Sequence, residues 1–210
     1  GTDPQTGEII ECPVKVSAPL AALIFKVAMT EGRKLSYVRL YSGKIRAGQD
    51  VYNPTRNKTE KVSRILLMHA NKRERIDEVE AGHIVGVVGL KESSTGETLC
   101  SKDRPVLLEN IEVYEPVISV AVEPKTHADQ EKLEQVLEKF LAEDPTLRVR
   151  QDEDTGQTIL SGMGELHLEV ITSRMQREFN TQVNVGKPQV VYREPIGKAA
   201  DATAVFDREV

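Results

Sequence analysis

The sequence lacks several features that would mark common classes of protein. It contains no tryptophan, and four phenylalanines and five tyrosines leave little material for stacking on nucleic-acid bases. Its two cysteines, Cys12 and Cys100, form no close-spaced pair, which excludes a zinc ribbon and a CxxC redox motif. No apolar run approaches the length of a membrane span. We therefore expect a monomeric protein of a reducing compartment, the cytoplasm, with no signal peptide and no membrane partner.

Motifs for nucleotide binding and for catalysis are also absent. There is no G-x-x-x-x-G-K-[ST] and no Asp-x-x-Gly. Asn57-Lys58-Thr59-Glu60 and Asn71-Lys72-Arg73-Glu74 imitate a guanine-binding Asn-Lys-x-Asp motif, but both end in Glu and both lie in β-hairpin patterns. No His-Glu-x-x-His or Gly-x-Ser-x-Gly occurs, and the four histidines are far apart. We predict that this chain has no catalytic residue and by itself holds no metal, GTP or other cofactor.

Positive charge is scarce overall but concentrated in one stretch. The chain carries 28 basic and 33 acidic residues, a net charge of −5, whereas nucleic-acid binders are usually basic. Residues 60–75 nevertheless hold five basic side chains, which are Lys61, Arg64, Lys72, Arg73 and Arg75. This stretch is either a local phosphate-binding surface or a solvated hairpin tip.

The first half of the chain has the pattern of a small antiparallel barrel. Short runs with alternating or apolar residues predict strands at 23–28, 35–41, 50–53, 61–68, 84–88, 98–100 and 106–108. Glycines at 43 and 48 mark turns between them. Many short strands at this spacing favour a barrel over 19–112.

The second half alternates strands and helices. A strand at 117–122 is followed by Thr126-x-x-Asp129, which can cap a helix. The helix stripe is Leu133, Val136, Leu137, Phe140 and Leu141, and Asp144-Pro145 ends it. Strands at 147–150 and 157–160, a second helix from about 165 and a strand at 182–185 complete the order βαββαβ. That order predicts a ferredoxin-like domain.

One stretch of the second half carries a family resemblance. Ser161-Gly162-Met163-Gly164-Glu165-Leu166-His167-Leu168-Glu169 resembles the glycine-led helix in the third domain of elongation factor G, the translational GTPase of ribosomal translocation. Glu115-Pro116-Val117-Ile118 and Glu143-Asp144-Pro145-Thr146 are similar to the same domain. Residues 41–48 and 81–90 resemble the second-domain barrel of translational GTPases, and 67–74 resembles that of elongation factor G in particular.

The resemblance implies a domain organisation. Residues 1–18 would be a linker from a GTPase domain that this sequence lacks, and 19–112 the all-β translation-factor barrel. Residues 113–190 would be the α+β ferredoxin-like domain, and 191–210 the truncated start of a fourth domain. GTP and magnesium would bind to the GTPase domain of the full-length protein.

The resemblance also implies partners and contact residues. The third domain would lie against the GTPase domain, near its nucleotide-sensing switch, and against RNA and protein of the small ribosomal subunit. The surface around the glycine-led helix would form part of the fusidic acid pocket. These roles would fall on Pro116, Thr146, Gly162, Met163, Gly164, Leu166, His167 and Arg174. We expect the two glycines to permit close approach and Arg174 to be exposed. Contact with ribosomal RNA would fall on the five basic residues of 60–75.

Other functions remain open at this point. The sequence after Gly197 departs from the family pattern, which leaves a paralogue for ribosome recycling or ribosome protection as an alternative. An independent small-ligand enzyme would use His167 as a base. A stand-alone RNA-binding protein is disfavoured by the acidic net charge and the few aromatic residues.

Overall fold

The computed structural model describes residues 1–30, 33–69, 72–111 and 113–190. Two groups of elements follow one another along the chain. The first group is β1 (Ala21–Thr30), β2 (Arg33–Ser42), β3 (Lys44–Arg46), β4 (Asp50–Asn53), β5 (Lys58–Lys61), β6 (Arg64–His69), β7 (Lys72–Ile76), β8 (Glu78–Glu80), β9 (Ile84–Val88) and β10 (Thr98–Cys100). The second group is β11 (Ile118–Pro124), α1 (His127–Glu143), β12 (Arg148–Gln151), β13 (Thr158–Gly162), α2 (Glu165–Phe179) and β14 (Val183–Gly186). The predicted start of a fourth domain, 191–210, lies outside the described residues.

The first group forms the predicted antiparallel barrel. Eight strands make one sheet in the order β5-β4-β10-β1-β2-β9-β6-β7, and β3 pairs with β8. Side chains alternate across each strand, so Val38 and Leu40 of β2 are buried while Arg39 between them is exposed. Ile45 of β3 and Val79 of β8 join the same apolar core as the large sheet. The all-β part of the predicted fold is therefore confirmed.

Two strand predictions within the barrel are wrong. Residues 61–68 do not form one strand, because Val62 turns into the core and its N–H donates to the Gln49 carbonyl (2.9 Å). β5 and β6 on either side consequently pair with different neighbours, β4 and β9. Residues 106–108 contribute only an isolated bridge, in which Leu107 and Thr2 exchange backbone hydrogen bonds.

The second group forms the predicted ferredoxin-like domain. Its four strands lie in the order β12-β13-β11-β14, and every described pairing is antiparallel. Both helices pack into one core cluster with the sheet, where Phe140 and Phe179 meet edge to face with ring centroids 5.6 Å apart. The βαββαβ order is confirmed.

Local sequence signals set the helix ends. Thr126 caps α1, with its hydroxyl oxygen accepting the Asp129 N–H (3.2 Å), and α1 ends before Asp144-Pro145. α2 begins after Gly164 without a side-chain cap, and it ends at Asn180 in the left-handed region with φ 49°. No helix in the described ranges is long and apolar enough to cross a bilayer.

The end of α1 joins the two domains. Ala142 packs against the core cluster of the barrel. The next residue, Glu143, accepts the backbone N–H of Met29 in β1 on its Oε1 atom (2.5 Å). The last turn of α1 therefore lies on the barrel wall and holds a backbone group of β1.

Candidate functional site

A chain of hydrogen bonds connects the end of α1 with the start of α2. Thr146 donates from both its backbone N–H (2.8 Å) and its hydroxyl (2.6 Å) to Asp144 Oδ1. The other carboxylate oxygen, Oδ2, lies 2.8 Å from His167 Nε2. The backbone N–H of Met163 donates to His167 Nδ1 (3.1 Å). Three of the predicted contact residues, Thr146, Met163 and His167, are thus held together through Asp144.

These contacts indicate the tautomer of the neutral His167 ring. Because Nδ1 accepts the Met163 N–H, it carries no proton, and the proton must be on Nε2, which donates to Asp144. Both ring nitrogens are then occupied by contacts within the chain. A substrate would find no free lone pair on this ring, which argues against His167 as a catalytic base.

The Asp144 carboxylate is stabilised in its charged form. Partial burial pushes the pKa of Asp144 upward, but the hydrogen bonds from Thr146 and the contact with His167 outweigh that effect. Its pKa therefore lies below the ordinary aspartate value. Asp144 therefore enters this chain of hydrogen bonds as a carboxylate at neutral pH.

The two glycines of the predicted site have different surroundings. A Cβ atom on Gly162 would come within 2.7 Å of Leu168 and 3.0 Å of the His167 ring, so a larger residue would displace the start of α2. A Cβ on Gly164 would meet nothing within 4 Å, and its φ of 175° is ordinary extended backbone. Gly162 thus admits side chains of the same chain, whereas the space beside Gly164 is open.

Four apolar side chains lie exposed beside this network, and we call them the α2 apolar surface. They are Val117 (74% exposed), Met163 (37%), Leu166 (72%) and Val170 (45%). The Val117 N–H donates to the Gly162 carbonyl (3.0 Å), which brings the start of β11 beside Met163. Half-buried Pro116 immediately precedes Val117. A cluster of exposed apolar side chains on a rigid support is typical of an interaction surface.

Arg174 is not the exposed residue that we expected. Its side chain is only 27% exposed, and its guanidinium lies 4.8 Å from the centroid of the Phe140 ring. It donates to Glu178 (2.8 and 3.0 Å) and to Glu143 (2.9 Å). The hydrogen bonds to Glu178 and then to Glu143 raise the pKa of Arg174 despite partial burial. Arg174 therefore connects α2 to Glu143, the residue that holds β1.

The barrel carries a second candidate site. Two of the five predicted RNA-contact residues, Arg64 and Arg73, line a cavity of about 160 Å³ with Arg33 and Lys34, and we call it the basic groove. Its other lining residues are Thr30, Leu35, Leu66 and Val88. No acidic residue of the described chain lines it. The remaining candidates, Lys61, Lys72 and Arg75, are exposed but do not line the groove.

The positive charges in the basic groove are compensated to different degrees, since Lys34 has carboxylates nearby, those of Glu60, Glu97 and Glu92. Arg33, Arg64 and Arg73 are exposed, and their side chains make no hydrogen bond or ion pair with any residue in the described ranges. Lys34 is partly buried and donates to the backbone carbonyls of Lys91 (2.9 Å) and Ser93. Burial lowers the pKa of Lys34. Three free guanidinium groups over an apolar floor can bind phosphate groups bidentately.

The stretch Asn57-Lys58-Thr59-Glu60, which imitates a guanine-binding motif, has a structural role. Asn57 occupies the β4–β5 turn with φ 53°, and its side-chain oxygen accepts the Tyr52 hydroxyl (2.8 Å). Glu60 accepts the backbone N–H groups of Glu92 (2.8 Å) and Ser93 (3.2 Å). Within the described residues, no group of three or more His, Cys, Asp or Glu side chains could hold a metal.

Sequence reasoning missed several members of both sites. They are Val117, Glu143, Asp144 and Val170 around α2, and Arg33 and Lys34 in the groove. The sequence contains a signal for Asp144: the proline that follows it ends the helix, and a carboxylate at a helix end is free to bind groups outside the helix. Arg33 and Lys34 carried none, because they join the groove only through the pairing of β2 with β9 and of β9 with β6.

The matches to known families follow the two domains. Residues 33–100 match the family model for elongation factor Tu domain 2, and residues 113–187 match that for elongation factor G, domain III. Each of the two domains therefore matches a domain model of translation elongation factors. Elongation factor G 2 of Syntrophus aciditrophicus (strain SB) is 56% identical over all 210 residues of the chain. The chain is thus similar to elongation factor G along its whole length.

A solved structure supports the fold. A crystal structure of a protein from Thermus thermophilus matches with a TM-score of 0.70 and 28% identity, covering 82% of this chain and 26% of that one. The chain spans about a third of its curated relative, namely 31% of that protein's length. The two domains described above thus correspond to a part of elongation factor G.

Proposed function

We propose that this chain is the part of an elongation factor G-type translational GTPase that contacts the ribosome and senses the state of the GTPase domain during translocation. In this proposal 19–112 and 113–190 are the second and third domains of a cytoplasmic, monomeric protein. GTP and magnesium belong to its GTPase domain. The chain itself supplies recognition surfaces and no catalytic group.

The α2 apolar surface carries the proposal. Leu166 and Val170 stand one turn apart on α2, and Met163 lies just before the helix, so all three face one side of its first turns. The Asp144–His167 contact holds this end of α2 against α1. A GTPase domain docked here would bury these side chains.

The contacts behind this surface suggest how the signal would travel. Arg174 ties α2 to Glu143, and Glu143 holds the Met29 N–H of β1. A displacement of α2 would therefore shift Glu143 through Arg174 and disturb its contact with β1 at the junction between the two domains. We infer that a change of nucleotide state is passed on as a rotation between these domains. The basic groove would meanwhile hold the barrel on ribosomal RNA of the small subunit.

The test is a charge placed in the α2 apolar surface of a full-length protein that carries this sequence. Leu166→Glu should lower ribosome-stimulated GTP hydrolysis by about tenfold or more, because docking would bury an unpaired carboxylate. Binding of GTP in the absence of ribosomes should stay unchanged.

A matched control is Val185→Glu, since Val185 is 50% exposed on the edge strand β14 at another part of the domain. It should leave hydrolysis within about twofold of the unmodified protein, as surface changes away from a site usually do. Equal hydrolysis by the Leu166 and Val185 variants would contradict the docking role of α2.

A further inference from the structure

A third surface of the chain plays no part in the function proposed above. It is a groove of about 480 Å³ between α1 and the β12 side of the ferredoxin-like sheet, and we call it the acidic groove. Leu137, Leu141 and Val149 form its apolar floor. Glu123, Glu134 and Glu138 stand on its rim and are exposed.

The charge of this groove is of one sign. Glu134 and Glu138 lie one turn apart on the same side of α1. No lysine or arginine lines the groove within the described chain. Lys139, which follows Glu138, has its ammonium group 4.9 Å from the Phe179 ring centroid, on the α2 side of the helix. Three carboxylates around an apolar floor favour a cationic segment that also carries apolar side chains.

The strand beside the groove has a free edge. β12 is the end strand of its sheet, and among the described residues it pairs only with β13. A strand of this kind leaves every second backbone N–H and C=O pointing outward. Val149 and Gln151 of β12 line the groove, so a chain paired along this edge would lie next to it.

We propose that the free edge of β12 and the acidic groove together bind an extended, lysine-containing peptide segment of a partner protein. The segment adds a strand to β12, and its backbone supplies hydrogen bonds that do not depend on sequence. Alternate side chains point toward α1, where valine-like residues cover Leu141 and Val149 and lysines meet Glu134 and Glu138. This inference stands independently of the role proposed for the α2 apolar surface.

The probe is a fluorescein-labelled, end-capped peptide of about eight residues, the length of an ordinary strand. Every second residue of this peptide is threonine, and the positions between are alternately lysine and valine. Lysine and valine therefore share one face of the strand. A second peptide has glutamate in place of each lysine. Fluorescence anisotropy with the 210-residue chain at low salt should show binding of the lysine peptide only.

Variants of α1 distinguish binding in the acidic groove from attraction by the overall negative charge of the chain. Glu134→Lys/Glu138→Lys should weaken binding of the lysine peptide about tenfold or more, because two exposed charges change sign at the rim. Glu131→Lys reverses an exposed glutamate of the same helix that does not line the groove, and it should change binding by less than about twofold. Circular dichroism checks that each variant keeps its helices.

Hydrogen exchange tests the strand pairing. The lysine peptide should slow exchange at the outward-facing amides of β12, which have no partner strand without it. Absence of binding, equal binding of both peptides, or unchanged binding to the Glu134/Glu138 variant would overturn the proposal. Binding of the lysine peptide without slower hydrogen exchange in β12 would show that the peptide does not add a strand to the sheet.

Discussion

The barrel and the ferredoxin-like domain present surfaces of opposite charge. The basic groove of the barrel gathers four cationic side chains with no acidic residue among its described lining. The groove between α1 and β12 gathers three glutamates with no cation among its described lining. Both have apolar floors, and the charges on their rims are of opposite sign. An acidic net charge therefore conceals a positive site, and the two domains are suited to different partners.

The two domains also differ in what shapes their surfaces. In the barrel, strand pairing brings residues that are distant in sequence together on the outer face across β2, β9, β6 and β7. In the ferredoxin-like domain, side-chain hydrogen bonds between helix ends hold the surface in place. We therefore expect barrel function to respond to charge changes and the second domain to respond to changes of packing and polar contacts.

The largest expected effect is on stability, and it tests whether the cores of the two domains unfold separately. Phe140→Ala should destabilise the ferredoxin-like domain by about 3–5 kcal/mol, because Phe140 is 1% exposed and packs against Phe179. Both described helices lie in this domain, so circular dichroism at helical wavelengths during urea unfolding measures the loss.

The matched change in the barrel is Leu40→Ala, at a residue that is fully buried. It should cost about 2–5 kcal/mol in the barrel, measured by hydrogen exchange of β1, β2 and β9, and shift the helical transition far less. If each variant lowered both transitions equally, the domains would unfold as one unit and the comparison would fail.

The next effect concerns the junction between the domains. Glu143→Ala removes the acceptor of the Met29 N–H and one partner of Arg174, so we expect a loss of about 1.5–3 kcal/mol. Faster hydrogen exchange at the Met29 amide is the direct measurement. Glu178→Gln serves as the control, since Glu178 also pairs with Arg174 but does not contact β1. An unchanged Met29 exchange rate in Glu143→Ala would show that the junction does not depend on this carboxylate.

A smaller effect, on ribosome binding, compares the basic groove with the basic residues outside it. Arg64→Glu/Arg73→Glu should weaken pelleting of the chain with ribosomes by about tenfold and reduce its dependence on salt, because each lost phosphate contact lowers the salt slope by roughly one. Lys61→Glu/Lys72→Glu reverses the same number of charges outside the groove and should weaken pelleting much less. Equal losses in the two double variants would mean that net charge, not the groove, sets the affinity.

How far the sequence predicts the fold depends on the kind of contact. The stripe from Leu133 to Leu141 and the Thr126 cap are local signals, and both elements form as predicted. The predicted strand at 61–68 fails because Val62 is buried by packing rather than by strand alternation, and apolar periodicity does not distinguish the two.

The candidate sites divide in the same way. Met163, Leu166 and His167 stand on one continuous stretch and were found together. Glu143 contacts Arg174, and Arg33 lines the basic groove with Arg64, in each case far away in sequence, and no local pattern marks either residue. The expected exposure of Arg174 failed for this reason, since its partners Glu143 and Phe140 come from the other helix.

The smallest expected effect is a dependence of stability on pH in the ferredoxin-like domain. Asp144 has a pKa below its ordinary value in the folded chain, so the folded state binds the proton less readily than the unfolded state does. The resulting stabilisation is present above the unfolded aspartate pKa of about 3.9, and it is lost as pH falls through the lower, folded pKa. Urea unfolding followed by circular dichroism between about pH 5 and pH 3 measures this loss.

The variant Asp144→Asn should remove part of that pH dependence and cost about 1 kcal/mol at neutral pH. The asparagine oxygen can still accept from Thr146, but its NH₂ group would then face the Nε2–H of His167, and two donors would oppose each other. Glu131→Gln, at an exposed carboxyl of α1, should leave both quantities nearly unchanged. An Asp144→Asn chain as stable as the original at every pH would show that packing, and not the polar chain, holds the start of α2. The ferredoxin-like domain would then not depend on polar contacts between its helix ends.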